Sequence, residues 1–224
     1  MLRSRMGLPW QSQEIRPTLL FARRAMVDKI NSANLGALAG ETISYKAKTL
    51  FTADENVAIR YDSEELARAV TKFDMDGPYD ETLTLKDRAQ VMLITNLDLD
   101  RGLVNGSRGV LVGFDPTSAE PLPIVQFLNG QRVIISRHSW GMDDFKNTVR
   151  SQIPLRLAWA GTIHKSQGAT LDCALIDIGR TTFEYGQAYV ALSRVKSLDS
   201  LYIHDFAETS IKAHPKVIEF YKKF

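Results

Sequence analysis

The chain has 224 residues, 44% hydrophobic and 24% charged, which suits one sizeable globular domain, or one domain with an insertion, and needs no metal or disulfide to hold a core. Its single cysteine, Cys173, excludes a disulfide framework and fits a reducing compartment; no apolar run is long enough for a membrane span or a signal peptide, so the expectation is a soluble, intracellular protein with no membrane partner. The net charge of +2 does not by itself argue for nucleic acid, but Arg3, Arg5, Arg16, Arg23, Arg24 and Lys29 crowd the start, and Asp54, Glu55, Asp62, Glu64, Glu65, Asp74, Asp76, Asp80 and Glu81 fill the middle. That asymmetry allows a basic and an acidic face, or two solvated patches.

In chain order, residues 18–22 (Thr-Leu-Leu-Phe-Ala) predict a short buried strand. Met26, Ile30 and Leu35 then fall at helical spacing, ending near Gly36 or Gly40. Residues 43–50 alternate, with Ile43, Tyr45, Ala47 and Thr49 on one side, as a strand does. Asp62 or Ser63 caps a predicted helix through Leu66, Ala69, Val70 and Phe73, and Asp76-Gly-Pro78 breaks the chain.

From about residue 83 the texture changes. Four short β-rich runs, 91–94, 110–114, 124–127 and 133–135, are separated by Asn105-Gly106, a wider loop at 115–119, and Asn129-Gly130. Asn-Gly is a strong hairpin signal because both turn positions favour positive φ. Short strands with tight turns predict a small closed barrel, SH3-like or OB-like. The α/β pattern then resumes, with strands at 155–160, 174–178 and 201–204 and a helix over 186–195. Pro215 suits the first position of a last helix, with Val217, Ile218, Phe220 and Tyr221 on its buried side. Cys173, in the run Cys-Ala-Leu-Ile, reads as an inert core thiol. The fold class is therefore α/β: a parallel-sheet domain in two parts, 1–82 and 151–224, with a β-barrel inserted at 83–150.

Two motifs carry the chemistry. Thr162-Ile-His-Lys-Ser-Gln-Gly168 follows a strand, where hydroxyls, backbone N–H groups and Lys165 can meet phosphates and Gly168 lets backbone approach a ligand. A polar connection with a surface histidine would have the same composition. Gly186-Gln-Ala-Tyr-Val-Ala-Leu-Ser-Arg194 is a helix delivering an arginine, whose fork matches a phosphate; arginine at a helix end is also favoured by the macrodipole alone. No G-x-x-x-x-G-K-[ST] phosphate loop occurs in these residues. Asp54-Glu55 follows too poor a strand to be a magnesium-binding pair. The four histidines, His138, His164, His204 and His214, are too dispersed for a zinc site.

These motifs, with Leu20-Phe-Ala-Arg-Arg-Ala-Met-Val-Asp-Lys-Ile-Asn31, Ala89-Gln-Val-Met-Leu-Ile-Thr-Asn-Leu97 and Leu103-Val-Asn-Gly-Ser-Arg-Gly109, resemble the C-terminal half of superfamily-one helicases of the Pif/RecD type, above all the Pif family of 5′-to-3′ DNA helicases. The resemblance implies a second RecA-like domain carrying an inserted SH3-like accessory subdomain. It implies ATP-dependent unwinding, with Arg194 as arginine finger and Gln167, Gly168, Gln187 and Tyr189 on the nucleotide side. It places Asn105, Thr162, His164, Lys165 and Ser166 toward single-stranded DNA. ATP and Mg2+ are the implied cofactors, the metal ligands lying outside this chain. DNA duplex junctions and an N-terminal RecA-like domain of the same parent are the implied partners. Where the family commonly has an asparagine after the first strand, this chain has Arg23-Arg24. The competing class is a non-catalytic module that holds nucleic acid or a replication partner.

Overall fold

The computed structural model describes residues 2–9, 15–51, 64–143 and 145–223. Asp62 and Ser63, expected to cap a helix, and the Asp54-Glu55 pair lie outside the described residues. In chain order, β1 (Thr18–Phe21) leads into α1 (Arg24–Ala37), followed by β2 (Ile43–Lys46), β3 (Lys48–Phe51) and α2 (Glu64–Asp76). The middle holds β4 (Thr82–Leu85), β5 (Gln90–Leu93), β6 (Arg108–Asp115), β7 (Leu122–Phe127), β8 (Arg132–Ile134), β9 (His138–Met142) and β10 (Phe145–Gln152). The last third holds β11 (Leu155–Leu157), β12 (Ala160–Thr162), β13 (Ala174–Ile178), α3 (Gln187–Leu192), β14 (Leu201–Phe206) and α4 (Pro215–Tyr221).

A four-stranded sheet in the order β12-β1-β13-β14, every pair parallel, joins the start of the chain to its last third. Its strands are near-continuous apolar runs because both faces are covered. Leu20, Ala174, Ile176, Ile178 and Ile203 pack with Ala188 and Ala191 of α3, and Phe21 and Ala160 with Val27 of α1. The expected helix is therefore present, and Ile30 and Leu35 pack inward as expected, but Met26 is 45% exposed and Val27 is the buried residue of the first turn.

The remaining strands form a five-stranded sheet, β11-β5-β6-β7-β8, a three-stranded sheet, β3-β10-β9, and the pair β2-β4. The five-stranded sheet and the β2-β4 pair share one core built on Tyr45, Leu83, Leu85, Leu93 and Val125, with Ile153 just after β10. A single closed barrel was the sequence expectation; among the described residues the strands close no hydrogen-bonded ring. Residues 43–50 do alternate as expected, yet the run is cut at Ala47, so that β2 pairs with β4 and β3 with β10. Residues 155–160 also split. The Ala158 N–H donates to the Gln90 carbonyl and the Trp159 carbonyl accepts from Leu19, handing the chain from one sheet to the other. α4 starts at Pro215 as expected, but Val217, Ile218, Phe220 and Tyr221 are all exposed. Cys173 is half-buried just before β13, and burial pushes its thiol up, away from the reactive thiolate.

In both Asn-Gly pairs only the glycine has positive φ; Arg88 is the only non-glycine with that conformation among the described residues. At Asn129-Gly130 the Gly130 N–H donates to Phe127 and the Phe127 N–H to Gln131. This is a three-residue hairpin loop closed by a left-handed glycine. Asn105-Gly106 instead turns the long connection 94–107 against residue 170. A Cβ on Gly106, where φ is +95°, would lie 2.6 Å from the Thr170 carbonyl oxygen. Gly106→Ala is expected to cost roughly 2 kcal/mol through strain and overpacking together. Chemical denaturation should show a lower midpoint at unchanged slope; an unchanged midpoint would mean that the turn relaxes freely.

Two buried arginines tie the elements together. Arg150 of β10 makes a two-pronged ion pair with Asp74 of α2, at 2.9 and 2.6 Å, and donates to Thr49 Oγ1 on β3. Tyr79 donates to the same carboxylate at 2.7 Å and packs against Trp140. Arg108 of β6, its side chain fully buried, meets Asp172 at 2.6 and 2.5 Å and donates to the Arg16 carbonyl. It fastens the β-rich segment to the chain entering β1 and β13, the two central strands of the parallel sheet.

Candidate nucleic-acid interface

In an open parallel sheet, ligands meet the carboxyl ends of the strands. Here those ends include Phe21 and Thr162, which are register partners. The loop after Thr162 is a compact turn. Ile163 is fully buried as its anchor, Thr162 Oγ1 accepts from the Lys165 N–H, and Ser166 donates both its N–H and its hydroxyl to the Thr162 carbonyl. His164, Lys165, Gln167 and Gly168 are therefore turned outward. Ser166 is only 3% exposed, so its hydroxyl faces inward rather than toward the DNA side that the resemblance implied.

Thr162, His164 and Lys165 border an open cleft of about 1030 Å³ whose walls are α1, α2 and β4. Arg24, Arg150 and Arg156 line it as well. Desolvation pushes the Lys165 amine below its ordinary range, with Asp80 opposing. His164 Nε2 lies 2.7 Å from Glu184, just before α3. Asn105 is not on this cleft: its carbonyl accepts from Thr170 at 3.4 Å, on the far side of the turn.

That far side faces Arg194. Its guanidinium donates to the carbonyls of Val190 (2.8 Å), Ala169 (3.2 Å) and Ser166 (3.4 Å) and to Ser193 Oγ (2.8 Å). The Leu171 N–H donates to the Arg194 carbonyl. Helix and turn are thereby joined at both ends, through His164–Glu184 and through Arg194. Gln187 is buried: its Oε1 accepts from the Phe183 N–H, while its Nε2 has no partner. Tyr189 is 75% exposed. The motifs place the two faces of one turn, but not Arg108, Arg156 or Glu184. For Arg156 a signal was available, a lone charge in the apolar run 153–160. No group of three or more metal-ligating side chains exists among the described residues.

Comparison with known proteins places this geometry in context. The family model described as "DNA helicase Pif1, 2B domain" matches residues 71–114. The ATP-dependent DNA helicase PIF1 of Xenopus laevis is 40% identical over 209 residues, which are 92% of this chain and 30% of that protein. The crystal structure of the Pif1 helicase from Candida albicans matches with a TM-score of 0.71 and 32% identity, over 99% of this chain and 52% of that one. The Bacteroides Pif1 helicase crystallised with ADP-AlF3 and single-stranded DNA matches with a TM-score of 0.59 and 27% identity, over 95% and 46% of the two chains. The chain thus spans about a third of the curated relative and about half of the solved structures.

Proposed function

The chain belongs to the Pif family of helicases, and from that premise we propose that it is the C-terminal part of an ATP-dependent 5′-to-3′ DNA helicase, with 1–82 and 151–224 forming a RecA-like domain and 83–150 the SH3-like accessory subdomain. One observation carries the reading: a single turn, residues 162–170, presents Thr162, His164 and Lys165 to an open cleft on one side and meets Arg194 on the other. A strand of DNA in the cleft and a nucleotide near Arg194 would then act on the same turn. The Bacteroides relative, crystallised with both ligand types, supports that pairing.

In this reading Lys165 and the Thr162 hydroxyl hold the phosphate backbone, and His164 joins them when Glu184 releases it. Arg194 exchanges its carbonyl contacts for the charge that develops on the transferring phosphoryl group, which frees the Ser166 and Ala169 carbonyls and loosens the nucleotide side of the turn. Gln187 and Tyr189 border the nucleotide, Gln187 offering a buried amide that lacks an acceptor. Gln167 and Gly168 stand on the same side. ATP enters with Mg2+, for which a partner RecA-like domain supplies phosphate loop and carboxylates. Duplex junctions are the substrate.

The test is twofold. The chain alone is expected to bind single-stranded oligonucleotide weakly, releasing on the order of one to three counterions, and to hydrolyse no ATP; joined to a phosphate-loop domain of its own parent, it should show DNA-stimulated hydrolysis. Lys165→Ala should weaken binding about equally for all sequences, because phosphate contacts position a strand without reading bases. Binding without any DNA-stimulated hydrolysis in the complete protein would leave a non-catalytic nucleic-acid module.

A further inference from the structure

β11 reads Leu155-Arg-Leu, and its charge does not reach solvent: Arg156 is only 8% exposed. Its guanidinium donates to the Lys165 carbonyl at 3.3 Å and to the Pro78 carbonyl, where α2 gives way to β4. Its Nε is buried and has no hydrogen-bond partner. Arg108 and Arg150, the other deeply buried arginines, each grip a carboxylate. Arg156 has no such ion pair among the described residues, and Asp80 acts on it only as a more distant charge.

A buried cation without a counter-ion is costly, and proteins rarely retain one that does nothing. Arg156 also shares the cleft with Lys165 and Arg24. Arg24 is partly offset by Asp28 at 3.5 Å; Asp80, also on the cleft, offsets Arg156 and Lys165 without an ion pair to either, while the two cations repel each other and desolvation works against both. An anion held on the Lys165 side of the cleft would offset both cations, away from Asp28, Asp74 and Glu81, which line the same cleft.

Resting on the reading of the cleft as a DNA track, we propose that Arg156 is a positioning residue for the phosphodiester backbone. It holds the Lys165 turn from behind through the Lys165 carbonyl, and it supplies a positive charge that a backbone phosphate neutralises. Arg156 does not itself touch the strand. Its influence is electrostatic and geometric, exerted through the turn that does.

Fluorescence anisotropy of a labelled oligothymidine across a salt series tests this on the full chain, beside thermal unfolding. Removing an unpaired buried charge should leave the Tm of Arg156→Met no lower than that of the native chain. Its affinity should fall roughly five- to tenfold near 0.1 M salt, with the salt slope shallower by about one. Arg156→Lys, which keeps the charge, should recover most of the affinity. A methylphosphonate strand, lacking backbone charge, should not distinguish Arg156→Met from the native chain. Native affinity and slope in Arg156→Met would overturn the proposal. So would a Tm loss that Arg156→Lys fails to restore, which would make Arg156 a structural brace. If the native chain binds no oligonucleotide at all, the reading of the cleft itself fails; if it binds and only Lys165→Ala weakens it, this inference alone fails.

Discussion

On the proposed reading, Arg194→Ala in the complete parent protein is expected to lower DNA-stimulated ATP turnover by roughly a thousandfold or more, a barrier increase of about 4 kcal/mol. Arg194 now spends its donors on Val190, Ala169, Ser166 and Ser193. Those are neutral acceptors, and a phosphoryl group in flight is a stronger one. The exchange of carbonyls for phosphate is thus favourable when negative charge develops, and most favourable in the transition state, so turnover should fall more than ATP affinity. Arg194→Lys should be nearly as slow, because an ammonium keeps the charge but not the planar fork. Single-stranded DNA affinity should change by less than about threefold, under 1 kcal/mol, since Thr162 and Ser166 hold the cleft side of the turn without Arg194. Steady-state hydrolysis against DNA concentration, beside anisotropy titrations, separates the two readouts. Native turnover in Arg194→Ala would reduce Arg194 to a clasp between α3 and the turn.

The parallel sheet was legible because its strands are mainly apolar runs bounded by polar loops, the pattern that double-sided burial favours. The motif residues were legible too, since hydroxyls, a lysine and a glycine after a strand have a phosphate chemistry of their own. What failed were questions that only tertiary context answers. Residues 155–160 read as one strand because nothing local marks Ala158 and Trp159 as the crossing between sheets. β9 escaped notice because His138–Met142 is short and carries only two large apolar side chains, and β10 because Phe145–Gln152 is largely polar; Arg150 and Gln152 are buried there through partners distant in sequence. The apolar side of α4 predicted burial, yet periodicity shows only that a face exists, not that something covers it. Ser166 looked like a ligand hydroxyl by type, and the turn consumes it internally. Arg156 carries the same lesson in reverse: a charge inside an apolar run was visible, but only three dimensions show that it lies behind Lys165.

Asp74→Ala should produce the largest loss of stability, roughly 3–5 kcal/mol, with a Tm lower by about 6–20 °C for a chain of this size. The side chains of Arg150 and Asp74 are 6% and 9% exposed. Deleting the carboxylate therefore leaves a nearly buried guanidinium at the cleft wall without its counter-ion, and the Tyr79 hydroxyl without the acceptor it now holds at 2.7 Å. The loss reflects an uncompensated charge rather than the net worth of the pair, and a second variant separates the two. Asp74→Leu with Arg150→Met replaces the pair by apolar side chains and should recover most of the lost stability, because the desolvation cost of both ions disappears with them. The network also has a mechanical consequence. It joins α2, a wall of the cleft, to β10 and, through Thr49, to β3. Asp74→Ala should therefore raise hydrogen exchange along α2 and weaken DNA binding, whereas the double variant restores stability while leaving α2 without its polar tether. A Tm for Asp74→Ala within about 2 °C of the native value, or a double variant no more stable than the single one, would show that solvent enters the pocket and that packing around Tyr79 and Trp140, not the ion pair, holds the wall.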